Sequence, residues 1–210
     1  MVRQNMVWLA SWPRSGNTFL RTILWYCFGL KSGSVYADEF SGNNKLQQYV
    51  GHVEDKKSLF VPGNIPLIKT HEAPADDGPA IYIVRHGMDA TLSLCQYYHQ
   101  TPPEFVIEGS HRFGTWASHL HAWKPWERPD TLLLRYEDLT DNLPEVLKRV
   151  SLFLDVKILN EVIPPRDAIA DVDGRVVKKA SLPKPVLSAS LTRRFIELNG
   201  EMLERLGYKP

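Results

Sequence analysis

The chain has 210 residues, 43% of them hydrophobic and 23% charged, with a formal net charge of +1. That length supports a sizeable core in a single domain, residues 1–210, without disulfide or metal staples. The near-zero charge excludes a global attraction to nucleic acid or to a membrane surface, so an anion site has to be built locally.

The chain opens on a short apolar run, Met6 to Ala10, fit for a buried first strand. Pro13 ends it, having a fixed φ and no N–H to donate. Ser15-Gly16-Asn17-Thr18 supplies turn and capping residues, and a helix is expected from about Thr18 to Gly29. A helix start leaves backbone N–H groups unpaired and carries partial positive charge. With Gly16 allowing close approach and Arg14 beside it, this turn is shaped for an anion such as phosphate. It is not a Walker A loop, which needs a second glycine followed by lysine. Phe19, Leu20, Ile23, Leu24, Cys27 and Phe28 recur at helical steps and read as core, except Phe19, which is placed to stack on a base.

Lys31 to Pro62 is polar and mixed, and reads as loops with one short helix near Asn44 to Gly51. Ile65 to His71 reads as a strand ending in Lys69-Thr70-His71, and parallel sheets place ligands outside such carboxyl ends. Ala80 to Val84 is a strand apolar on both faces, followed by Arg85 and a helix from Asp89 to about His99. Arg85 at the strand end and Ser93 one turn into that helix are suited to converge on one phosphate. Pro102-Pro103 stops the helix, and 104–110 reads as a loop. A helix from Phe113 to Trp126 carries Trp116, Leu120 and Trp123, a stripe that normally packs in a core. Tyr97, Tyr98, Phe105 and Trp116, with the 31–62 segment, either line an aromatic-friendly pocket or belong to the core.

A fourth strand is expected from Asp130 to Tyr136, then a helix from Leu143 to Leu154 capped by Thr140 or Asp141. Gly174 to Lys179 is a basic loop holding Arg175, Lys178 and Lys179. A last helix starts at Ser190 or Thr192 and ends at Gly207. Strands alternate with helices, which implies an α/β fold with a mainly parallel central sheet flanked by helices. Cations gathered at one rim of a nearly neutral protein point to a polyanionic nucleotide. Cys27 and Cys95 sit in helical, apolar settings and read as reduced thiols, which suits a cytoplasmic protein. The N-terminus shows no signal-peptide pattern, no apolar run reaches membrane-spanning length, and no residue cluster has metal-ligand spacing.

Trp12-Pro13-Arg14-Ser15-Gly16-Asn17-Thr18-Phe19 resembles the 5′-phosphosulfate loop of sulfotransferases that use 3′-phosphoadenosine 5′-phosphosulfate (PAPS). Ile83 to Asp89 followed by Ser93 resembles their 3′-phosphate motif, and Lys69-Thr70-His71 is similar to the Lys-Thr-His of the cytosolic, small-molecule branch. Tyr97-Tyr98-His99, Gly114-Thr115-Trp116 and Leu134 to Leu139 follow in matching order, so the resemblance spans residues 7 to 153.

The resemblance implies a P-loop-like nucleotide fold, PAPS as donor, adenosine 3′,5′-bisphosphate as product and no metal. It implies that Arg14, Ser15, Gly16, Asn17 and Thr18 contact the 5′-phosphate, that Phe19 stacks on adenine and that Tyr136 approaches it. Arg85 and Ser93 would hold the 3′-phosphate. His71 would be the catalytic base and Lys69 would steady the sulfuryl oxygens. Two departures stand out. Arg14 replaces the family's usual Lys, keeping charge but not the capacity to give up a proton. The family's Arg-Lys-Gly-x-x-Gly-Asp-Trp loop is absent, with Arg175, Lys178 and Lys179 in its place. The alternatives are a P-loop-type nucleotide or small-molecule kinase, and a non-catalytic nucleotide-binding protein.

Overall fold

The computed structural model describes residues 6–37, 39–40, 42–99, 101–172 and 186–209. Arg175, Lys178 and Lys179 therefore lie outside the described residues. Among the described residues, five strands form one parallel sheet: β1 (Val7–Ala10), β2 (Ser32–Ser34), β3 (Leu67–Thr70), β4 (Ala80–Val84) and β5 (Thr131–Arg135), in the order β2-β3-β1-β4-β5. The order reverses across β1, so its carboxyl end opens on a crevice between β3 and β4.

Period-two alternation sends side chains to two separate cores. Leu9, Leu67, Ile81 and Ile83 face α1 (Asn17–Phe28) and α7 (Leu143–Leu154). Ala10, Tyr82 and Val84 face α3 (Gly87–Tyr97), α5 (Trp116–Trp123) and α9 (Ala189–Arg205). All five β4 residues are buried, as its continuous apolar run requires. Each fully buried aliphatic side chain in these cores contributes about 1.5–3 kcal/mol.

The expected strands and long helices form, with shifted ends. α3 begins at Gly87, two residues before Asp89, and α9 is capped by Ser188, whose side chain accepts from the Leu191 N–H. α5 is shorter than its apolar pattern, bounded by the Thr115 cap and by Lys124 at φ 41°. α2 (Asn44–Val50) has the Asn43 cap and a left-handed Gly51, as its sequence suggests.

Several elements among the described residues carry no periodic apolar signal. β2 is Ser-Gly-Ser, held because the buried Arg21 donates to Ser32 and because a Cβ on Gly33 would meet Lys56 at 2.9 Å. α4 (Pro103–Ile107) occupies the stretch read as a loop, with proline at its first turn. α6 (Tyr136–Asp141) follows β5 directly, so Thr140 and Asp141 lie within it rather than capping α7. α8 (Arg166–Val172) follows Pro164-Pro165. Both cysteines are free thiols, and burial pushes each up to about 11. Among the described residues no helix is long and apolar enough to cross a membrane.

Candidate active site

The loop between β1 and α1 bends through two left-handed residues, Arg14 at φ 64° and Gly16 at φ 103°. A Cβ at Gly16 would lie 2.3 Å from the Tyr136 ring, so only glycine fits. Among the described residues no side chain caps the start of α1, and the Ser15 hydroxyl is buried without a hydrogen-bond partner. An uncapped helix N-terminus beside an orphaned donor fits a phosphate group. The Arg85 guanidinium lies 4.8 Å from the Tyr136 ring centre and donates to the Arg14 carbonyl at 3.2 Å, with Asp89 4.0 Å away. Arg14 in turn donates through Nε to Ser93 Oγ at 3.1 Å and packs over Tyr97. The end of β1 and the β4–α3 junction are thus cross-linked, and Arg14, Gly16, Arg85, Ser93 and Tyr136 form one continuous patch. Phe19 meets Tyr136 edge-on at 6.3 Å, on the same side.

Asn17 turns inward instead. Its side-chain N–H groups donate to the Leu9 carbonyl and to Ser11 Oγ, fastening α1 to the end of β1. Ser11 is the next link. His71 Nδ1 lies 2.8 Å from the Ser11 carbonyl and 3.2 Å from its hydroxyl. A carbonyl only accepts, so Nδ1 carries the proton and Nε2 keeps its lone pair. Among the described residues Nε2 has no hydrogen-bond partner. The His71 backbone N–H donates to the Tyr36 hydroxyl at 2.9 Å, and its carbonyl accepts from His119 Nε2 at 3.0 Å. Burial, and then the Lys69 ammonium, holds the His71 imidazole well below its usual range, so it is neutral at neutral pH. Burial also lowers His119, to about 4.

Lys69 lies two residues before His71, on the α1 face of β3 with Leu67. Its ammonium is bonded to the Glu39 carboxylate and sits 5.2 Å from the Tyr36 ring centre. Glu39 also receives Arg21 Nη1 at 2.7 Å. Arg21 itself is fully buried and donates to Ser32 and to His52 Nδ1. Burial alone would push the Glu39 carboxyl up, but Arg21 and Lys69 together bring it down to about 2.

An aromatic array extends from His71. Tyr36 stacks on it at 6.0 Å and Phe113 meets it at 5.9 Å, and His111 then lies among Phe113, Trp12, Tyr98 and Phe105. Tyr97 and Phe105 are exposed. Trp116 corrects the pocket reading. It is 1% exposed and packs beneath Gly87, where a Cβ would approach its ring to 2.8 Å, so it is core. Ser11, Tyr36, Glu39 and His119 escaped the sequence reading, since no local pattern marks a contact made across 30 to 60 positions. A groove of about 590 Å³ lined by Tyr26, Lys45, Gln48, Tyr49, Ala168, Asp171 and Val172 contains none of the candidate residues.

A family model described as a sulfotransferase domain matches residues 4–166. Sulfotransferase 1E1 of Homo sapiens is 26% identical over 185 residues, covering 74% of this chain and 60% of its own length. Sulfotransferase 1B1 of Mus musculus is 31% identical over 192 residues, covering 73% and 59%. The chain thus spans about 60% of the length of these relatives. Among solved structures, mouse sulfotransferase SULT7A1 complexed with PAP superposes with a TM-score of 0.65 at 19% identity, over 96% of this chain and 85% of that one. The sulfotransferase domain from the curacin biosynthetic pathway gives 0.54 at 16% identity, over 100% and 99%. These structures share the fold. The family match takes in well over half of the chain, including the loop after β1, the end of β3 and the β4–α3 junction, and the chain belongs to the sulfotransferase family.

Proposed function

We propose that the chain moves a sulfuryl group from PAPS to a hydroxyl, or amine, of a small-molecule acceptor, with His71 as general base. The observation that carries this reading is the His71 imidazole: neutral, with its proton fixed on Nδ1 by the Ser11 carbonyl and Nε2 left to accept one. Family membership and the fold shared with a PAP-bound mouse sulfotransferase support the donor assignment.

Ser15, Gly16, Asn17 and Thr18 would supply the 5′-phosphate with backbone and hydroxyl donors at the start of α1. Arg85 and Ser93 would hold the 3′-phosphate, and Tyr136 and Phe19 would flank the adenine. PAPS, when bound, brings the sulfuryl group and departs as adenosine 3′,5′-bisphosphate. Sulfuryl transfer resembles phosphoryl transfer in resting on alignment and charge stabilisation. Arg14 and Lys69 would offset the negative charge developing on the departing nucleotide, each by a few kcal/mol in a closed site. Arg14 has no proton to give at working pH, so its part is electrostatic. The acceptor would meet Nε2 against the Tyr36, Phe113 and Tyr98 wall.

A thermal-shift titration with adenosine 3′,5′-bisphosphate, paired with transfer from labelled PAPS to a panel of hydroxyl acceptors, tests the reading. The bisphosphate raises Tm, and His71→Ala lowers transfer about 10²–10⁴-fold while the shift persists. Stabilisation by ATP and magnesium alone, or undiminished turnover in His71→Ala, overturns it.

A further inference from the structure

Lys69 presents a physical difficulty. An ammonium at a buried strand end is costly, and burial pulls the Lys69 amine toward its neutral form. An uncharged amine there would neither attract sulfuryl oxygens nor lower the basicity of His71. Something has to hold both its charge and its place.

The geometry points to Glu39 as a positioning residue: its carboxylate clamps the Lys69 ammonium beside His71 and the β1–α1 loop, and is itself fixed from two other elements. This rests on the proposed sulfuryl transfer for its functional meaning, while the clamp is a property of the chain itself. Glu39 lies on the segment between β2 and α2 and contacts Lys69 from β3 and Arg21 from α1 at once, one carboxylate oxygen to each cation. His52, just past α2, lies 3.9 Å from the same oxygen that Arg21 holds. Tyr36, on the same segment as Glu39, covers the ammonium with its ring and takes the His71 backbone N–H on its hydroxyl. One short segment thus orients Lys69 through a carboxylate and His71 through a phenol.

Among the described residues, the charged and titratable groups facing Lys69 are Glu39, Arg21, Arg14, His71 and Tyr36, with His52 behind Arg21. Of these only Glu39 is negative and in contact with it. Arg21 and Arg14 both oppose a charged Lys69, so the effect of removing Glu39 has a definite sign.

Glu39→Gln keeps the shape and removes the charge. In the ligand-free protein, the Lys69 side chain, followed by ¹³Cε NMR with Lys69→Met fixing the assignment, then loses its proton at least one pH unit lower than in the parent chain. In transfer assays kcat falls about tenfold or more near pH 8 and recovers as pH is lowered. KM for PAPS changes less than threefold, and Glu39→Asp restores much of the rate. A Lys69 resonance that titrates identically in Glu39→Gln, or a kcat loss with an unshifted pH profile, overturns the clamp. Should Glu39→Gln fail to fold, Lys69→Met supplies the reciprocal reading: the Glu39 carboxyl must then titrate above about 2, and an unmoved Glu39 counts against the proposal. Absence of any transfer by the parent chain overturns the sulfuryl-transfer reading instead, while the Lys69 titration still decides for or against the Glu39 clamp.

Discussion

The two sides of β1 handle charge in opposite ways. Toward β4, at the Arg14–Arg85–Ser93 patch, the cations sit near the surface, and among the described residues an adjacent hydroxyl is buried and unpartnered and the helix start is uncapped. Toward β2, at Arg21–Glu39–Lys69–His52, every cation is buried and answered by a carboxylate, a hydroxyl or a ring nitrogen. Among the described residues the first side keeps an uncapped helix start and an unpartnered hydroxyl, and it suits a ligand that arrives with its own negative charge. The second is completed internally and suits holding a side chain still. Substitutions on the first side should therefore move ligand affinity, and substitutions on the second should move folding stability.

The sharpest way to break that contrast is Arg21→Met, which leaves Glu39 with one cation in place of two. Removing one partner of a buried ionic cluster costs about 3–5 kcal/mol, to be read as a lowered urea midpoint, and replacing Glu39 and Lys69 as well, by Leu and Met, should recover part of it. A loss under about 1 kcal/mol would mean that the cluster is no tighter than a surface pair. Acid comes next. His119 is neutral when folded, at about 4 against an ordinary 6.5, so its contribution is complete above pH 6.5 and is lost as pH falls toward 4. At about 1.4 kcal/mol per pH unit, that is roughly 3 kcal/mol. His71 is lowered too and acts in the same direction. Glu39, brought down to about 2 from 4.5, adds a second loss below pH 4.5. Urea unfolding across pH 7 to 3 should show both windows, and His119→Gln should remove much of the upper one.

On the open side, Arg85→Ala should weaken binding of adenosine 3′,5′-bisphosphate by about 1.5–3 kcal/mol, or roughly 10- to 100-fold by calorimetry. Binding of the 3′-dephospho analogue should change far less, and equal losses would remove Arg85 from the 3′-phosphate. The smallest effect is expected for Arg14→Lys, which keeps the charge and gives up the Nε bond to Ser93. Bisphosphate affinity should change by less than about tenfold, with the urea midpoint unmoved.

What the sequence made legible follows the same division. The open side is written in contiguous residues: Pro13, Gly16 and the run into Phe19 announce a strand, a turn and a helix start, and Arg85 and Ser93 stand eight residues apart across one junction. Lys69 and His71 were readable for the same reason, at the end of one strand. The saturated side is written in residues that meet only after folding. Arg21 looks like an ordinary polar position on α1, and Glu39 lies in a stretch without periodicity. β2 escaped because it is held by Arg21 and by the close packing of Lys56 and Leu59 over Gly33, not by apolar side chains of its own. Trp116 shows the converse: its spacing with Leu120 and Trp123 already pointed to the core, and the Gly87 backbone that it packs against leaves it no access to solvent.

The Ser11 carbonyl has one more consequence. A peptide oxygen carries a dipole and no net charge, so the partner that fixes the His71 tautomer forms no ion pair with an imidazolium. With a lysine ammonium close by, a proton accepted on Nε2 is loosely held and passes readily to the next acceptor, water included. A carboxylate in the place of Ser11 would make a stronger base and also a slower one to empty. Under the assignment of His71 as base, this geometry favours rapid recovery of the neutral ring after each cycle over the greatest pull on the acceptor's proton.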